Sequence, residues 1–173
     1  TVMNNKLYVG GNFTQVNGTI NVNRIASWDG TNWEALSGLP SFSTPTPVRA
    51  ICAYNNTLYF AGYDNSGNLY SWANNSSTIF IPYLYVSTGS PISLTVLFNK
   101  LYIGFQRAGG SSYIPVAQSY DGTTVKTVAD GGYYFGSYNC QLVSSGSVNY
   151  NYFARLSIKP KSQFTANIKT ICE

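Results

Sequence analysis

A chain of 173 residues, 44% hydrophobic and without a single histidine, has the length for one domain with a sizeable core and excludes imidazole acid-base chemistry from the outset. Charged side chains make up only 9% of it, and the net charge of +4 reflects few acids rather than many bases, the ten Lys and Arg being scattered apart from Lys159, Lys161 and Lys169. A nucleic-acid surface needs clustered cations to displace counterions, so no nucleic-acid partner is expected, and His-based triads and His-ligated zinc or copper are excluded too.

Tyr, Asn, Ser, Thr and Gly fill the place of the missing charges, which predicts an all-β chain, since Tyr and Thr suit pleated half-buried surfaces and Asn and Gly suit tight turns. The longest apolar stretch, Thr78 to Phe98, is broken by Pro82, Gly89 and Pro91, so no membrane span is expected. The chain opens at Thr1 without an initiator Met, which reads as a processed or excised part of something longer. Cys52, Cys140 and Cys172 are too few for a disulfide framework or a zinc site; Cys52 and Cys140 read as buried hydrophobes, with a Cys140–Cys172 bridge as the alternative.

Taken in order, the chain repeats. Asn5-Lys6-Leu7-Tyr8 recurs as Asn56-Thr57-Leu58-Tyr59 and as Asn99-Lys100-Leu101-Tyr102, at spacings of 51 and 43 residues. Each tetrapeptide reads as the corner between two antiparallel strands, because Asn tolerates the positive φ of a tight hairpin turn. A third strand follows in each repeat, ending in Trp28-Asp29-Gly30, Trp72-Ala73-Asn74 and Tyr120-Asp121-Gly122. Fourth strands are expected over 32–36, 78–86 and 123–128. Four antiparallel strands per period is the arithmetic of a propeller blade.

Spacing varies between the second and third strands, over 12–21, 64–68 and 107–114, so function is expected on the face that gathers those loops. After Asp130 the pattern decays: 138–144 and 148–156 read as one inner hairpin around Ser145-Gly146, and 159–173 as a tail. The expected organisation is a β-propeller, or part of one, over 1–158, with blades near 1–40, 46–88, 91–130 and 134–158. Three blades and a partial fourth leave faces open, so closure must come from further sequence, from the termini or from another chain.

The combination of LYVGGNFT with NRIASWDGTNWEALSG resembles the kelch-like propeller repeats of fungal cortical polarity-marker proteins and of secreted bacterial and large-virus proteins. The first repeat matches at Leu7, Tyr8, Gly10, Gly11, Phe13, Ser27, Trp28, Asp29, Gly30 and Trp33. The second keeps Leu58, Tyr59, Gly62, Ser71 and Trp72, and the third Leu101, Tyr102, Gly104, Ser119, Asp121 and Gly122, with Tyr120 in place of Trp. The resemblance spans these three repeats and weakens along the chain. It implies a propeller used for display or protein contact at a surface, and it carries no catalytic or cofactor-binding residues.

Candidate chemistry is sparse. Ser27 to Trp33 resembles the Asp-box turn of sialidases but is one residue short, and Arg24, Arg49, Arg107 and Arg155 hold unlike repeat positions, so no carboxylate-gripping cluster is expected. Asp29 and Asp121 hold one repeat position in separate blades, where they read as acceptors for turn N–H groups rather than an acid-base pair. Asp64 to Asn68 lacks the bidentate acid of a calcium loop and reads as a hairpin, so no metal is expected. Asn12, Asn17, Asn55, Asn74 and Asn75 begin glycosylation sequons, about as many as the abundance of Asn, Ser and Thr supplies by chance. The tyrosines, including Tyr133, Tyr134, Tyr150 and Tyr152, read mostly as strand packing.

The sequence therefore predicts a non-enzymatic structural or interaction module, displayed on a cell surface or virion, whose partner is a protein: itself or a larger assembly. The alternatives are a carbohydrate-binding propeller with Trp33 and loop tyrosines as stacking platforms, and the non-catalytic part of a larger secreted enzyme.

Overall fold

Paired asparagines set the first level of structure. Asn4-Asn5, Asn55-Asn56 and Asn74-Asn75 all have φ between 46° and 59°, as type I′ hairpin turns require of both central residues. Phe98-Asn99 makes the same turn, at φ 47° and 53°. Asn accepts this left-handed region at low cost; Phe98, bulky and 39% exposed, is the outlier.

The computed structural model describes residues 1–41, 47–62, 68–79, 89–107, 116–130, 134–138, 141–147 and 150–156, and over these the chain is all β and antiparallel. The first sheet runs in the order β1 (Val2–Met3), β2 (Lys6–Gly10), β5 (Ile25–Trp28), β6 (Trp33–Ala35), and a small hairpin of β3 (Gln15–Val16) and β4 (Ile20–Asn21) sits within the β2–β5 connection. The second sheet is β7 (Val48–Tyr54), β8 (Thr57–Gly62), β9 (Leu69–Ala73) and β10 (Ser76–Ile79), and the third is β11 (Gly89–Leu97), β12 (Lys100–Arg107), β13 (Val116–Tyr120) and β14 (Val125–Asp130). The fourth holds β15 (Tyr134–Tyr138), β16 (Gln141–Ser147) and β17 (Tyr150–Leu156).

Three expectations need correction. The fourth strand of the third repeat is Val125–Asp130 and not 123–128, because residues 121–124 close a turn in which Asp121 N–H donates to the Thr124 carbonyl at 3.3 Å. The fourth strand of the second repeat starts at Ser76, not at residue 78, because the Asn74-Asn75 turn is as tight as a hairpin allows and brings Ser76 opposite Ala73. Ser145-Gly146 is not a turn: it lies inside β16, and Gly146 sits where the register with β17 shifts between Ser145 and Ser147. A glycine within a strand marks a bulge as readily as a corner. The fourth unit thus has three described strands rather than one inner hairpin.

In each of the first three sheets, alternating strand direction sends the turns that join its first two and its last two strands to one end and the longer connection between its two middle strands to the other. The sheets then pack face to face: the first strands β7, β11 and β15 lie against one another in succession, and the second strand of the first sheet, β2, lies against β7. Register defines the faces, since alternate residues of a strand point to opposite sides. One face of the second sheet, with Leu58, Phe60 and Trp72, packs on Tyr8, Ile25 and Met3 of the first sheet. The other, with Cys52, Tyr59, Ala61 and Leu69, packs on Leu101, Ile103 and Tyr120 of the third.

Polar links reinforce these two cores. The Trp72 indole N–H donates to the Ser37 carbonyl at 2.8 Å, and Val48 N–H donates to the Gly11 carbonyl at 3.2 Å. Ala53 N–H donates to the Thr1 hydroxyl at 3.2 Å, and the Tyr54 hydroxyl to the Asn99 carbonyl at 2.9 Å. Close approach decides two glycines. A Cβ on Gly10 would stand 2.6 Å from Val48 Cγ1, and one on Gly38, at φ 69°, would stand 1.9 Å from the Asn75 carbonyl oxygen.

Candidate functional site

The rim that carries the tight turns is built from Asn and Asp. Asp29 Oδ1 accepts the N–H groups of Thr31 and Asn32, each at 2.8 Å. Asp121 Oδ1 accepts those of Thr123 at 3.0 Å and Thr124 at 2.8 Å, and both threonine hydroxyls also donate to its carboxylate. These bonds favour the ionised form and hold both carboxyls below the usual range, led by Asn32 N–H at Asp29 and by Thr124 N–H at Asp121. Gly30 and Gly122 follow at φ 104° and 99°. The two acids sit in different sheets and serve their own turns. The Asn4 side-chain amide donates to Asn56 Oδ1 at 2.6 Å and ties the first rim to the second.

Between the first and second sheets, at this rim, opens a cleft of about 240 Å³. Asn4, Lys6, Ser27, Glu34 and Asn75 line it with polar groups, and Tyr8 and Trp72, ring centroids 6.2 Å apart, form its aromatic wall. Lys6 Nζ donates to Glu34 Oε2, which raises the Lys6 pKa and favours its charged ammonium. The indole N–H is already engaged by Ser37, so the wall offers ring surface and the polar side offers donors and acceptors. Its size suits a small polar ligand, below the range of about 300–1,000 Å³ typical of drug-sized pockets. Sequence reasoning looked to the opposite face and missed it. Lys6 and Glu34 are distant in the chain, and only the β2–β5–β6 register brings them together.

The second feature is the outer face of the first sheet. Register sets Val2 opposite Leu7, Leu7 opposite Trp28, and Trp28 opposite Trp33, one apolar row across four strands, with Val9, Ala26 and Ala35 in the next row. The same positions in the second sheet hold Leu58, Trp72 and Phe60, and in the third Leu101, Tyr120 and Ile103. Leu58, Phe60, Leu101 and Ile103 are wholly buried against the preceding sheet. Their first-sheet counterparts Leu7 and Val9 are half-buried, as are Trp28 and Trp33, and Val2 is 67% exposed. The indole rings of Trp28 and Trp33 lie 6.3 Å apart.

The remaining predicted residues divide by role. Tyr8, Tyr59 and Tyr102 are buried, and burial pushes the Tyr59 hydroxyl up to about 12. Tyr54, Tyr59 and Tyr120 form one ring cluster between the second and third sheets. Cys52 is a buried thiol, its pKa raised by desolvation. Asn12, Asn17, Asn55, Asn74 and Asn75 are all exposed, and Asn12 Oδ1 accepts a bond at 2.9 Å from the buried guanidinium of Arg24. Of the variable loops, 12–21 holds the β3–β4 hairpin, while most of 64–68 and 107–114 falls outside the described residues, as do Tyr133, Cys140 and the 159–173 tail. Among the described residues no three Asp, Glu or Cys side chains gather as metal ligands would, and no helix is long and apolar enough to cross a membrane.

Compared with known proteins, the chain matches no family model and no curated sequence.

Proposed function

We propose that the protein is a non-enzymatic interaction module: a propeller or partial propeller of kelch-like type, displayed on a cell surface or virion, that binds a protein partner. The observation that carries this reading is the outer face of the first sheet. Leu7 and Val9 keep exposure at positions that the second and third sheets bury, and Val2, Trp28 and Trp33 extend the same partly open face. Exposed apolar surface of this kind marks a contact site, and paired tryptophans are the residues most often found at binding hot spots. The exposed sequon asparagines are compatible with display outside the cytoplasm.

Radical footprinting of Trp28 and Trp33 in the native material and in the isolated chain, the latter diluted until light scattering shows only monomer, tests this reading. Stronger protection in the native material is the expected result; equal labelling of both tryptophans in the two samples would remove the contact face and the reading with it.

The rim cleft favours a second reading, a carbohydrate-binding propeller. Tyr8 and Trp72 offer ring surface beside Lys6, Glu34, Asn4 and Asn75, a combination suited to one neutral sugar ring. Trp33, the expected stacking platform, lies on the outer face instead, in contact with Trp28. A glycan array followed by titration of Trp72 fluorescence decides: a hit that Lys6→Ala abolishes supports the lectin, and silence leaves the interaction module.

A further inference from the structure

The repeat itself describes what should cover the outer face of the first sheet. At the two interfaces whose side-chain packing is described, a face of the Leu58–Trp72 kind receives the opposite face of the sheet before it. Leu58 and Trp72 receive Tyr8 and Ile25, and Leu101 and Tyr120 receive Cys52, Tyr59 and Leu69. The joint is heterologous: a Leu-bearing face always meets a Tyr-bearing face. The first sheet has a Leu-bearing face, at Leu7, with no earlier sheet among the described residues.

The fourth sheet supplies the missing counterpart. Two residues separate β15 from β16, and Tyr138 pairs with Gln141 as Met3 pairs with Lys6, Tyr54 with Thr57 and Leu97 with Lys100. Leu142 therefore holds the position of Leu7, Leu58 and Leu101, and Val143 that of Tyr8, Tyr59 and Tyr102. The repeat occurs a fourth time, with Leu142 following Leu101 at nearly the period that separates Leu101 from Leu58. The face carrying Val143 is the last Tyr-position face of the described chain, and it has no following sheet among the described residues.

We infer that the Trp28–Trp33 face of the first sheet docks a second copy of this chain, head to tail, on the Val143 face of that copy's fourth sheet. The inference rests on the interaction-module reading and names its partner. A heterologous contact of this sort propagates, closing into a ring of chains or extending as a filament. The alternative occupant is the chain's own fourth sheet, which would close a four-bladed ring.

Light scattering of the full chain over a wide concentration range tests the inference, beside Val2→Glu/Trp33→Glu and Val143→Glu variants whose folding is checked by circular dichroism. Wild type is expected to assemble with rising concentration. The first variant, altered at a 67% exposed residue and a half-buried one, should associate about thirtyfold more weakly or worse. Mixing the two variants should give dimers and nothing larger, because each retains one competent face. Should Val143→Glu fail to fold, cross-linking of mixed ¹⁴N and ¹⁵N wild-type chains replaces it, with adducts expected between the first sheet of one isotope and the fourth sheet of the other. A wild-type monomer at every concentration, with both tryptophans open to acrylamide, overturns the second copy, and footprinting of the native material then decides separately whether another protein binds. A monomer whose tryptophans are shielded, or cross-links confined to one isotope, means that the chain closes on itself, which overturns both readings.

Discussion

Leu7, Leu58 and Leu101 occupy one position in three sheets built on the same Asn-based hairpin, and they differ in what lies against them. Leu58 and Leu101 are wholly buried, each covered by the sheet before it, while Leu7 is half-buried at the free face of the first sheet. The contrast extends along the row: Trp72 is held by a hydrogen bond to Ser37 and packed on Tyr8, whereas Trp28 meets Trp33 on a half-open surface. A motif residue's contribution to stability comes from the neighbour the fold gives it.

Truncating the two leucines should expose that difference most strongly. Leu58→Ala is expected to cost about 2–5 kcal/mol in urea denaturation, through lost burial and the cavity left behind. Leu7→Ala in the isolated chain should cost roughly 1 kcal/mol, as a partly solvated site does. Equal losses would mean that the first-sheet face is covered after all, and would break the comparison.

Next come the glycines at the joint between the first and second sheets. Gly10→Ala must push Val48 aside and Gly38→Ala must displace backbone at Asn75 from a left-handed φ, so each is expected to lower stability by about 1–3 kcal/mol. Gly38→Ala should be the worse of the two, because a side chain yields more readily than a carbonyl; denaturation midpoints measured side by side check the order.

A smaller effect sharpens the tryptophan pair. Trp72→Phe removes the donor to Ser37 and should cost about 1 kcal/mol beyond the lost contact area. Trp28→Phe in the isolated chain should stay within about 0.5 kcal/mol of wild type.

The least is expected of the turn carboxylates, and only in acid. Asp121 and Asp29 have folded pKa values below the unfolded one, so their turns contribute stability at neutral pH that is lost as pH falls from about 4 through the folded values. Asp121, with four donors against the two at Asp29, should give the larger acid-side loss. Asp121→Asn should flatten that part of the stability profile, and a profile unchanged by the substitution would deny the carboxylate its role in the turn.

Much of the architecture was legible because local chemistry carries it. Asp-Gly after an aromatic gives a capped corner at Asp29 and Asp121, as expected. The Asn-based turns fall on Asn4-Asn5, Asn55-Asn56 and Phe98-Asn99, so only the first residue of each expected corner tetrapeptide is in the turn and the other three open a strand. The fourth unit was harder to read because its tetrapeptide position holds Gln141, Leu142 and Val143 in place of the Leu-Tyr signature, and because Gly146 signals a bulge and a turn equally well. The cleft gave no sequence signal at all: Tyr8 and Lys6 face Trp72 and Asn75 across a joint between sheets, and the two sides come from different repeats.

Backbone conformation at single residues, strand alternation and the repeat period are short-range properties, encoded in neighbouring side chains and readable one turn at a time. Which copy of a repeated leucine is buried, which tryptophan stays half-open, and where Lys6 meets Glu34 depend on how strands align and whole sheets stack. Stacking is decided by the joint fit of two faces, as at Gly10 against Val48, and no stretch of one strand contains the other half of that fit.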